Sequence, residues 1–409
     1  MRELSIEERV PQLSVNGRHS DRPRDGDDAH THSLRLKVVS SLLHQGFDLD
    51  EAGIKIPDHS DKESLRKLHL VAVQHRVNRG SRLRSKELVL IKKIATGREV
   101  IPERICPRLV EVMPGSSDEL LFRYAALHWS IPVSSGYGRR IRFLVIDRQN
   151  NKLIGIMGLG DPVFALGARD RWIGWDSTHR RSRLRHLLDA YVLGAVPPYS
   201  NLLGGKLVAM LATSDEVRRT FELKYTAKTS LISGTKGDAR VAMLTTTSAL
   251  GRSSMYNRIR FRDRLLFKPV GYTTGSGEFH FTNELYSELL EFAETHCKPT
   301  AKNIKWGTGF RSRREVIGKA LHQLGLPLAL QYHGIQRQVY VMPLARNAQS
   351  FLQGDVNVLN YYGDDANALF EYFRERWLLP RAERTQEYRD FDPRSFLLWH
   401  DPNKLDNYR

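Results

Sequence analysis

With 409 residues, 41% of them hydrophobic, the chain is long enough for two or three packed units, because single cores stop growing near roughly 250–300 residues. Its 63 Lys and Arg residues outnumber 46 Asp and Glu residues, and the net charge of +17 favours an anionic partner such as nucleic acid. Cys106 and Cys297 are too few for a disulfide framework or a thiolate zinc cluster, and no apolar run is long enough to cross a bilayer. We therefore expect a cytoplasmic protein without a metal centre or a membrane span.

Changes in composition and periodicity along the chain predict four regions. Residues 1–33 are polar without periodicity and predict a flexible leader. Residues 34–114 predict a basic helical region, in which Ser60 and Glu63 have the spacing of a capping box that opens a helix. Residues 115–282 predict an α/β domain, and residues 283–409 predict a mixed C-terminal region.

The stretch from Lys62 to Arg98 is strongly basic. It holds eleven cations and only two carboxylates, Glu63 and Glu87. One interpretation is a solvated helical face, and the other is a surface that follows a nucleic-acid backbone. The second interpretation makes four arginines candidate contacts: Arg76, Arg79, Arg82 and Arg84.

The middle of the chain alternates strands and helices. Ser116 is placed to cap a helix that runs to His128, and the β-rich runs 141–147 and 152–159 are joined by a polar turn of hairpin length. Residues 177–188 form an arginine-rich helical segment. The remaining predictions for this range are a strand at 191–196, helices at 202–212 and 215–225, a strand at 239–246, a helix that contains Met255, Tyr256 and Ile259, and a strand at 270–281.

Periodicity also defines the C-terminal elements. Residues 283–296 have an apolar face at helical spacing, and a second helix from about Arg314 ends before Gly325. Residues 338–342 predict a strand and residues 366–377 a helix. His333 has no ligand partner nearby in sequence, so we expect a satisfied or capping histidine.

The order of elements between 141 and 281 resembles the Gcn5-related N-acetyltransferase (GNAT) fold. The run Asn201-Leu202-Leu203-Gly204-Gly205-Lys206 corresponds to that superfamily's pyrophosphate loop, and Ser253 to Tyr256 resembles the start of its closing helix. The resemblance implies an acyl-CoA site, with Tyr256 as a candidate general acid. Asn201 replaces the usual Arg or Gln, and Lys206 stands where a small residue lets the backbone approach phosphate. The candidate cofactor-binding or phosphate-binding residues are Asn201, Gly204, Gly205, Lys206, Ser253 and Ser254.

A second resemblance covers about residues 120–350. The sequence motifs that support this resemblance are Gly160-Asp161-Pro162, the run from Ala168 to Trp175, Leu203 to Leu207, the run from Thr246 to Tyr256 and Tyr332-His333-Gly334-Ile335. They are similar to the DUF4338 family of Druantia anti-phage proteins. The resemblance implies antiviral defence alongside a large helicase-like protein and other Druantia components, with DNA as the favoured partner.

Two further clusters combine arginine with tryptophan. Such pairs suit base stacking and phosphate contact, although a buried Trp beside solvated Arg is also ordinary core architecture. The first cluster comprises Arg169, Arg171, Trp172, Trp175, Arg180 and Arg181. The second comprises Lys305, Trp306, Arg311, Arg313 and Arg314, and Arg252 is a separate candidate in a hydroxyl-rich loop.

These observations lead to one functional hypothesis and two alternatives. We expect an α/β protein with a GNAT-like middle domain that binds nucleic acid in a Druantia-type defence system and needs no cofactor. The alternatives are an acyl-CoA-dependent transferase and a basic scaffold that docks acidic partner subunits. Gly204-Gly205-Lys206 lacks the first glycine and the hydroxyl residue of a Walker loop, and no HExxH motif is present.

Overall fold

The structure, a computed structural model, describes residues 25–51, 53–55, 58, 60–226, 228, 238–300, 306–307 and 310–400. The α-helices are α1 (Asp25–His44), α2 (Lys62–Arg79), α3 (Glu87–Leu90), α4 (Ser117–Ala126), α5 (Gly167–Ile173), α6 (Ser177–Arg183), α7 (Gly204–Leu211), α8 (Asp215–Tyr225), α9 (Asn283–His296), α10 (Phe310–Gln323), α11 (Ala348–Gln353), α12 (Ala366–Phe373) and α13 (Leu379–Arg384). The strands are β1 (Leu49–Asp50), β2 (Gly53–Ile54), β3 (Pro107–Glu111), β4 (Tyr137–Asp147), β5 (Lys152–Asp161), β6 (Leu187–Ala195), β7 (Met243–Thr247), β8 (Arg260–Phe261), β9 (Arg264–Leu265), β10 (Lys268–Tyr272) and β11 (Gln338–Pro343).

The chain forms two compact units. The first contains Met1–Gln74, Leu250–Arg252 and Thr274–Arg337, and the second contains His75–Ala249, Ser253–Thr273 and Gln338–Arg409. Helix α1 begins at Asp25, inside the range predicted as a leader, while residues 1–24 lie outside the described residues. The predicted sequential boundaries at 114 and 282 stay a prediction.

The second unit is built on a seven-stranded sheet in the order β10-β11-β7-β6-β5-β4-β3. Neighbouring strands are antiparallel except β6 and β7, which pair in parallel from Leu187 opposite Met243 to Asp189 opposite Thr245. The predicted hairpin is confirmed, because β4 and β5 pair through the turn at 148–151. The mixed α/β class predicted from the sequence is therefore confirmed.

Alternating side chains of the central strands pack on the two faces of this sheet. Phe143 and Val145 belong to the core beneath α7, α8 and α12, whereas Leu144 and Ile146 belong to the core beneath α4. This is the two-residue period of a strand covered on both faces. As predicted, the Ser116 side chain caps α4, since its oxygen accepts a hydrogen bond from Glu119 N.

In the first unit, α9 packs against α1 and α10. Leu34, Val38 and Leu42, which are spaced four residues apart, are buried on one face of α1. The predicted Ser60–Glu63 capping box is wrong. The Asp61 carboxylate accepts hydrogen bonds from the backbone amides of Glu63 and Ser64. Asp61, one residue after Ser60, is therefore the N-cap of α2.

Two other local predictions differ from the structure. The predicted helix around Tyr256 is a single 3-10 turn, Tyr256–Arg258, and the predicted strand 270–281 reduces to β10. The helix predicted at 366–377 is α12 followed by a π-helical segment, Arg374–Leu378. Short irregular segments of this kind depend on packing, which residue periodicity does not encode.

Candidate phosphate and nucleic-acid surfaces

The glycine loop joins the end of β6 to the start of α7. Three of its backbone amides donate inside the loop: Leu202 N and Gly204 N both donate to Tyr199 O, at 3.1 and 2.8 Å, and Lys206 N donates to Leu203 O at 2.8 Å. A Cβ atom on Gly204 would lie 2.7 Å from Tyr199 O, so glycine is needed here to close the loop on itself. The Gly204 amide, one of the donors expected for a pyrophosphate, is therefore engaged in this conformation. Asn201 uses its carbonyl oxygen to accept from Arg381 Nε.

Side chains, in contrast, make this region electropositive. Lys206 Nζ lies 4.8 Å from the centre of the Trp377 ring, and Arg376 Cζ lies 5.5 Å from the same ring. Burial lowers the pKa of Lys206, and the nearby Arg258 and Arg376 lower it further. Among the described residues, no carboxylate lies within ion-pair distance of these three cations. We call Lys206, Arg258, Arg376 and Trp377 the loop cluster.

The hydroxyl groups near the loop have structural roles. Ser253 Oγ accepts a hydrogen bond from Tyr256 N, and Ser253 N donates to Tyr340 OH. Tyr256 stacks on Phe267, with ring centroids 4.7 Å apart, and burial raises its pKa far above the ordinary value. Such a tyrosine is a core side chain in this structure, while Ser254 is exposed.

A row of cations follows the last turn of α2. Arg79, Arg82, Arg84, Lys86, Lys92, Lys93 and Arg98 are exposed, and Arg76 is half-buried. Burial, and then the proximity of Arg79, lowers the pKa of Arg76. Within the part of the chain that the structure describes, none of these eight side chains is in an ion pair. We call this set the basic segment.

The one carboxylate in that row, Glu87, points inward. Its Oε1 accepts from Tyr124 OH at 3.0 Å and from Leu398 N at 2.7 Å, and its Oε2 accepts from Trp399 N and His400 N. Burial alone would raise the pKa of Glu87, but these hydrogen bonds together outweigh burial and lower it. Glu87 therefore anchors the C-terminal segment and leaves the basic segment uncompensated.

The first Arg–Trp cluster is placed differently from the prediction. Arg169 is fully buried, its Nη2 lies 2.7 Å from Asp170 Oδ1, and it donates to the carbonyls of Val163 and Phe164. Arg180 Nη1 lies 3.1 Å from the other oxygen of Asp170. We call Arg169, Asp170 and Arg180 the buried arginine cluster. Both guanidinium groups are engaged by one carboxylate. Because Arg169 is fully buried, it offers no surface to an external phosphate.

The tryptophans of this cluster are partly buried. Trp175 Nε1 donates to Leu352 O, and both Trp172 and Trp175 pack against the core that includes Ile173 and Phe351. Arg171 and Arg181 are exposed on the short helices α5 and α6. The packing of both rings against this core favours the alternative of ordinary core architecture over base stacking.

The second Arg–Trp cluster belongs to the first unit. Arg313 points to Glu278, with Nε 3.1 Å from Oε2, and lies over the Tyr286 ring. Arg311 is exposed and Arg314 donates to Tyr332 OH at 2.7 Å. Trp306 lies beside Lys319, Arg252 is exposed, and Lys305 lies outside the described residues. His333 is buried and its Nδ1 accepts from Ile335 N, which confirms a satisfied histidine.

The structure adds one titratable residue that the sequence predictions missed. Asp189 lies in β6, where Thr245 Oγ1 donates to its Oδ1 at 2.9 Å. Burial raises the pKa of Asp189 to about 6, although Thr245 and Arg169 oppose the shift. A lone carboxylate inside the apolar run Leu187–Leu193 was the available sequence signal.

In the described portion of the chain, no group of three or more His, Cys, Asp and Glu side chains could hold a metal ion. None of the helices within the described ranges has both the length and the apolar character needed to cross a bilayer.

These features define a two-unit mixed α/β protein with uncompensated basic surfaces. The chain belongs to the family described as Druantia protein DruA, whose model matches residues 59–354. A relative from Escherichia coli (strain UMEA 4076-1), described as Druantia protein DruA, is 41% identical over 360 residues, which cover 87% of this chain and 89% of the relative. No solved structure matches the chain.

Proposed function

We propose that this protein is a nucleic-acid-binding recognition or assembly subunit of a Druantia-type anti-phage system. Membership of the Druantia family supports the role in defence. In this proposal the protein acts on DNA together with a large helicase-like partner and other Druantia proteins. The free thiols of Cys106 and Cys297 fit a cytoplasmic location.

The observation that carries this proposal is the uncompensated basic segment. Exposed cations without carboxylate partners attract the phosphate backbone and release its counterions on binding. Because Glu87 is turned into the core, it does not neutralise its neighbours Arg84 and Lys86. An ordinary solvated helical face would pair many of these cations with carboxylates.

The loop cluster supports the same function at a second place in this unit. Lys206, Arg258 and Arg376 repel one another, and a phosphate bound between them would reduce this repulsion. The Trp377 ring contacts both Lys206 and Arg376 and keeps these two cations close together. The lysine that departs from the pyrophosphate-loop pattern would thus hold a nucleic-acid phosphate through its side chain instead of through backbone amides.

Filter binding of single- and double-stranded DNA at two salt concentrations tests the proposal. We expect binding at low salt and a steep fall of the association constant at higher salt, because each neutralised phosphate of duplex DNA adds about 0.9 to the slope. Lys206→Ala should weaken binding without lowering the melting temperature, whereas Lys55→Ala, at an exposed lysine outside both clusters, should not weaken it. Absence of binding at low salt would refute the proposal.

An acyl-CoA-dependent transferase is the second candidate. The hairpin β4–β5, the strand–loop–helix unit β6–α7 and the parallel partner β7 support a GNAT-like arrangement. The engaged amides of Gly204 and Lys206 weigh against pyrophosphate binding by this loop, and the burial of Tyr256 weighs against its role as a general acid. If the protein has an acyl-CoA site, acetyl-CoA at about 100 times its dissociation constant should stabilise the folded protein by ~2.7 kcal/mol, so a thermal-shift titration discriminates between the two candidates.

The same exposed cations would also suit a scaffold that docks acidic subunits. Pull-down of the Druantia partners before and after nuclease treatment separates this alternative from DNA binding. Partner association that survives nuclease at low salt, in a protein that does not bind DNA, would favour the scaffold.

A further inference from the structure

The first unit contains a pocket that none of the functions above uses. It has a volume of about 690 Å³, within the range of ligand sites in proteins, and lies between the end of α9 and one face of α10. Six of its lining residues are Lys298, Arg311, Arg314, Glu315, Lys319 and His322.

The charge of this pocket follows from the helical period. Positions 311, 314, 315, 318, 319 and 322 recur at three- and four-residue spacing and therefore share one face of α10. Gly318 lies at the centre of that face, where a Cβ atom would meet Gln331 Nε2 at 2.2 Å. The glycine thus lets the Gln331 side chain, which also lines the pocket, pack closely against α10 between the cationic side chains.

One carboxylate, Glu315, lines the pocket, and its charge is already engaged. Lys319 Nζ lies 3.1 Å from Glu315 Oε1, and Thr300 N donates to the same oxygen at 2.6 Å. Among the described residues, no carboxylate lies within ion-pair distance of Arg311 or Lys298. The lining therefore presents a net positive charge to any ligand.

An exposed aromatic ring lies next to these cations. Tyr332 is 44% exposed, its hydroxyl accepts from Arg314 Nη2 at 2.7 Å, and Arg314 Cζ lies 5.1 Å from the ring centre. A cationic groove beside an exposed ring is the combination that binds single strands, because phosphates contact the cations and bases stack on the ring. Duplex DNA keeps its bases stacked inside the helix and cannot use the ring in this way.

We propose that this pocket is a binding site for single-stranded nucleic acid, with Arg311, Arg314 and Lys298 on phosphates and Tyr332 stacked against a base. The inference rests on the proposed nucleic-acid function and assigns the single-stranded part of it to the first unit. The basic segment of the second unit is the surface for the duplex backbone.

Charge reversal tests the phosphate contacts. Lys298→Glu and Arg311→Glu are compared with Lys55→Glu, at an exposed lysine of the same unit outside the pocket, by anisotropy of a labelled oligothymidylate of about 12 nucleotides. We expect each pocket variant to weaken single-strand binding roughly tenfold and to lower the salt slope by about 0.7. Duplex affinity should fall no more than in Lys55→Glu.

Substitution of the ring tests stacking. Tyr332→Leu should weaken oligothymidylate binding roughly tenfold, whereas Tyr332→Phe, which keeps the ring and loses the hydroxyl, should stay within about threefold of the unaltered protein. Equal melting temperatures confirm that both variants fold.

The outcomes separate the two proposals. If the unaltered protein binds neither probe, the proposed function and this inference both fail. If the unaltered protein binds single strands while the pocket variants match Lys55→Glu, or Tyr332→Leu matches Tyr332→Phe, the pocket assignment alone is wrong.

Discussion

The basic segment and the buried arginine cluster are both arginine-rich in sequence, yet the fold treats them in opposite ways. Arg79, Arg82 and Arg84 are exposed without carboxylate partners, whereas Arg169 is fully buried and shares Asp170 with Arg180. Beside the basic segment it is the carboxylate, Glu87, that is buried. In the buried arginine cluster the carboxylate of Asp170 holds both arginines.

This contrast teaches that arginine density alone does not identify a nucleic-acid surface. Moving a guanidinium group into the interior is costly unless an anion and carbonyl acceptors are in place, and Asp170, Val163 and Phe164 supply them for Arg169. An exposed arginine carries no such requirement and remains available to an external phosphate. Each part of the comparison can be tested by substitution.

Asp170→Asn should have the largest effect on stability. It leaves Arg169 and Arg180 without their shared anion, and loss of one partner from a buried ion pair costs about 3–5 kcal/mol of unfolding free energy. Asp176→Asn is the matched control, because Asp176 is an exposed N-cap of α6 and asparagine caps equally well. Urea unfolding of the two variants measures the difference, and near-equal midpoints would contradict a structural role for the cluster.

Glu87→Gln should have an intermediate effect. The variant loses a charged acceptor of the Tyr124, Leu398 and His400 hydrogen bonds, which we expect to cost about 2 kcal/mol near neutral pH. Because the folded pKa of Glu87 lies below its ordinary value, this stabilisation is complete above pH ~4.3 and disappears as pH falls through the folded pKa.

The free energies of unfolding of Glu87→Gln and of the unaltered protein, measured at pH 7 and at lower pH, check the predicted direction of this pH dependence. The gap between the variant and the unaltered protein should narrow on acidification. Glu383→Gln, at an exposed carboxylate of α13, is the control and should remain near the unaltered protein. A gap that widened on acidification would show that the carboxylate of Glu87 is not the stabilising form.

The double variant Arg82→Gln/Arg84→Gln should have the smallest effect on stability, within about 0.5 kcal/mol, because both side chains are exposed and unpaired in the described structure. Its effect on duplex binding should be clear, with the salt slope lowered by up to about 1.8 for two lost phosphate contacts. Unfolding and filter binding on the same preparation measure both quantities. Substantial destabilisation with unchanged DNA binding would show that Arg82 and Arg84 have a structural role and do not contact DNA.

Local patterns predicted much of the fold. The β-rich runs at 141–147 and 152–159 identified the β4–β5 hairpin, and the apolar period of 283–296 identified α9, whose bounds match the prediction. The turn at Tyr256 and the end of β10 were missed, because their conformations depend on packing partners far away in sequence. For the candidate sites, sequence pointed to Lys206 but not to Arg258, Arg376 and Trp377.

The sequence by itself determined the mixed α/β class, the family and the strong excess of positive charge, since these depend on composition, local period and residue words. Only the tertiary structure decided which cations face solvent, because burial and ion pairing depend on residues brought together from distant segments. Glu87 meets Leu398 only in the folded chain, and that contact leaves the neighbouring arginines uncompensated. For the same reason, the lysine of the glycine loop became part of a cationic cluster, while the amides of Gly204 and Lys206 were engaged by carbonyls of the loop.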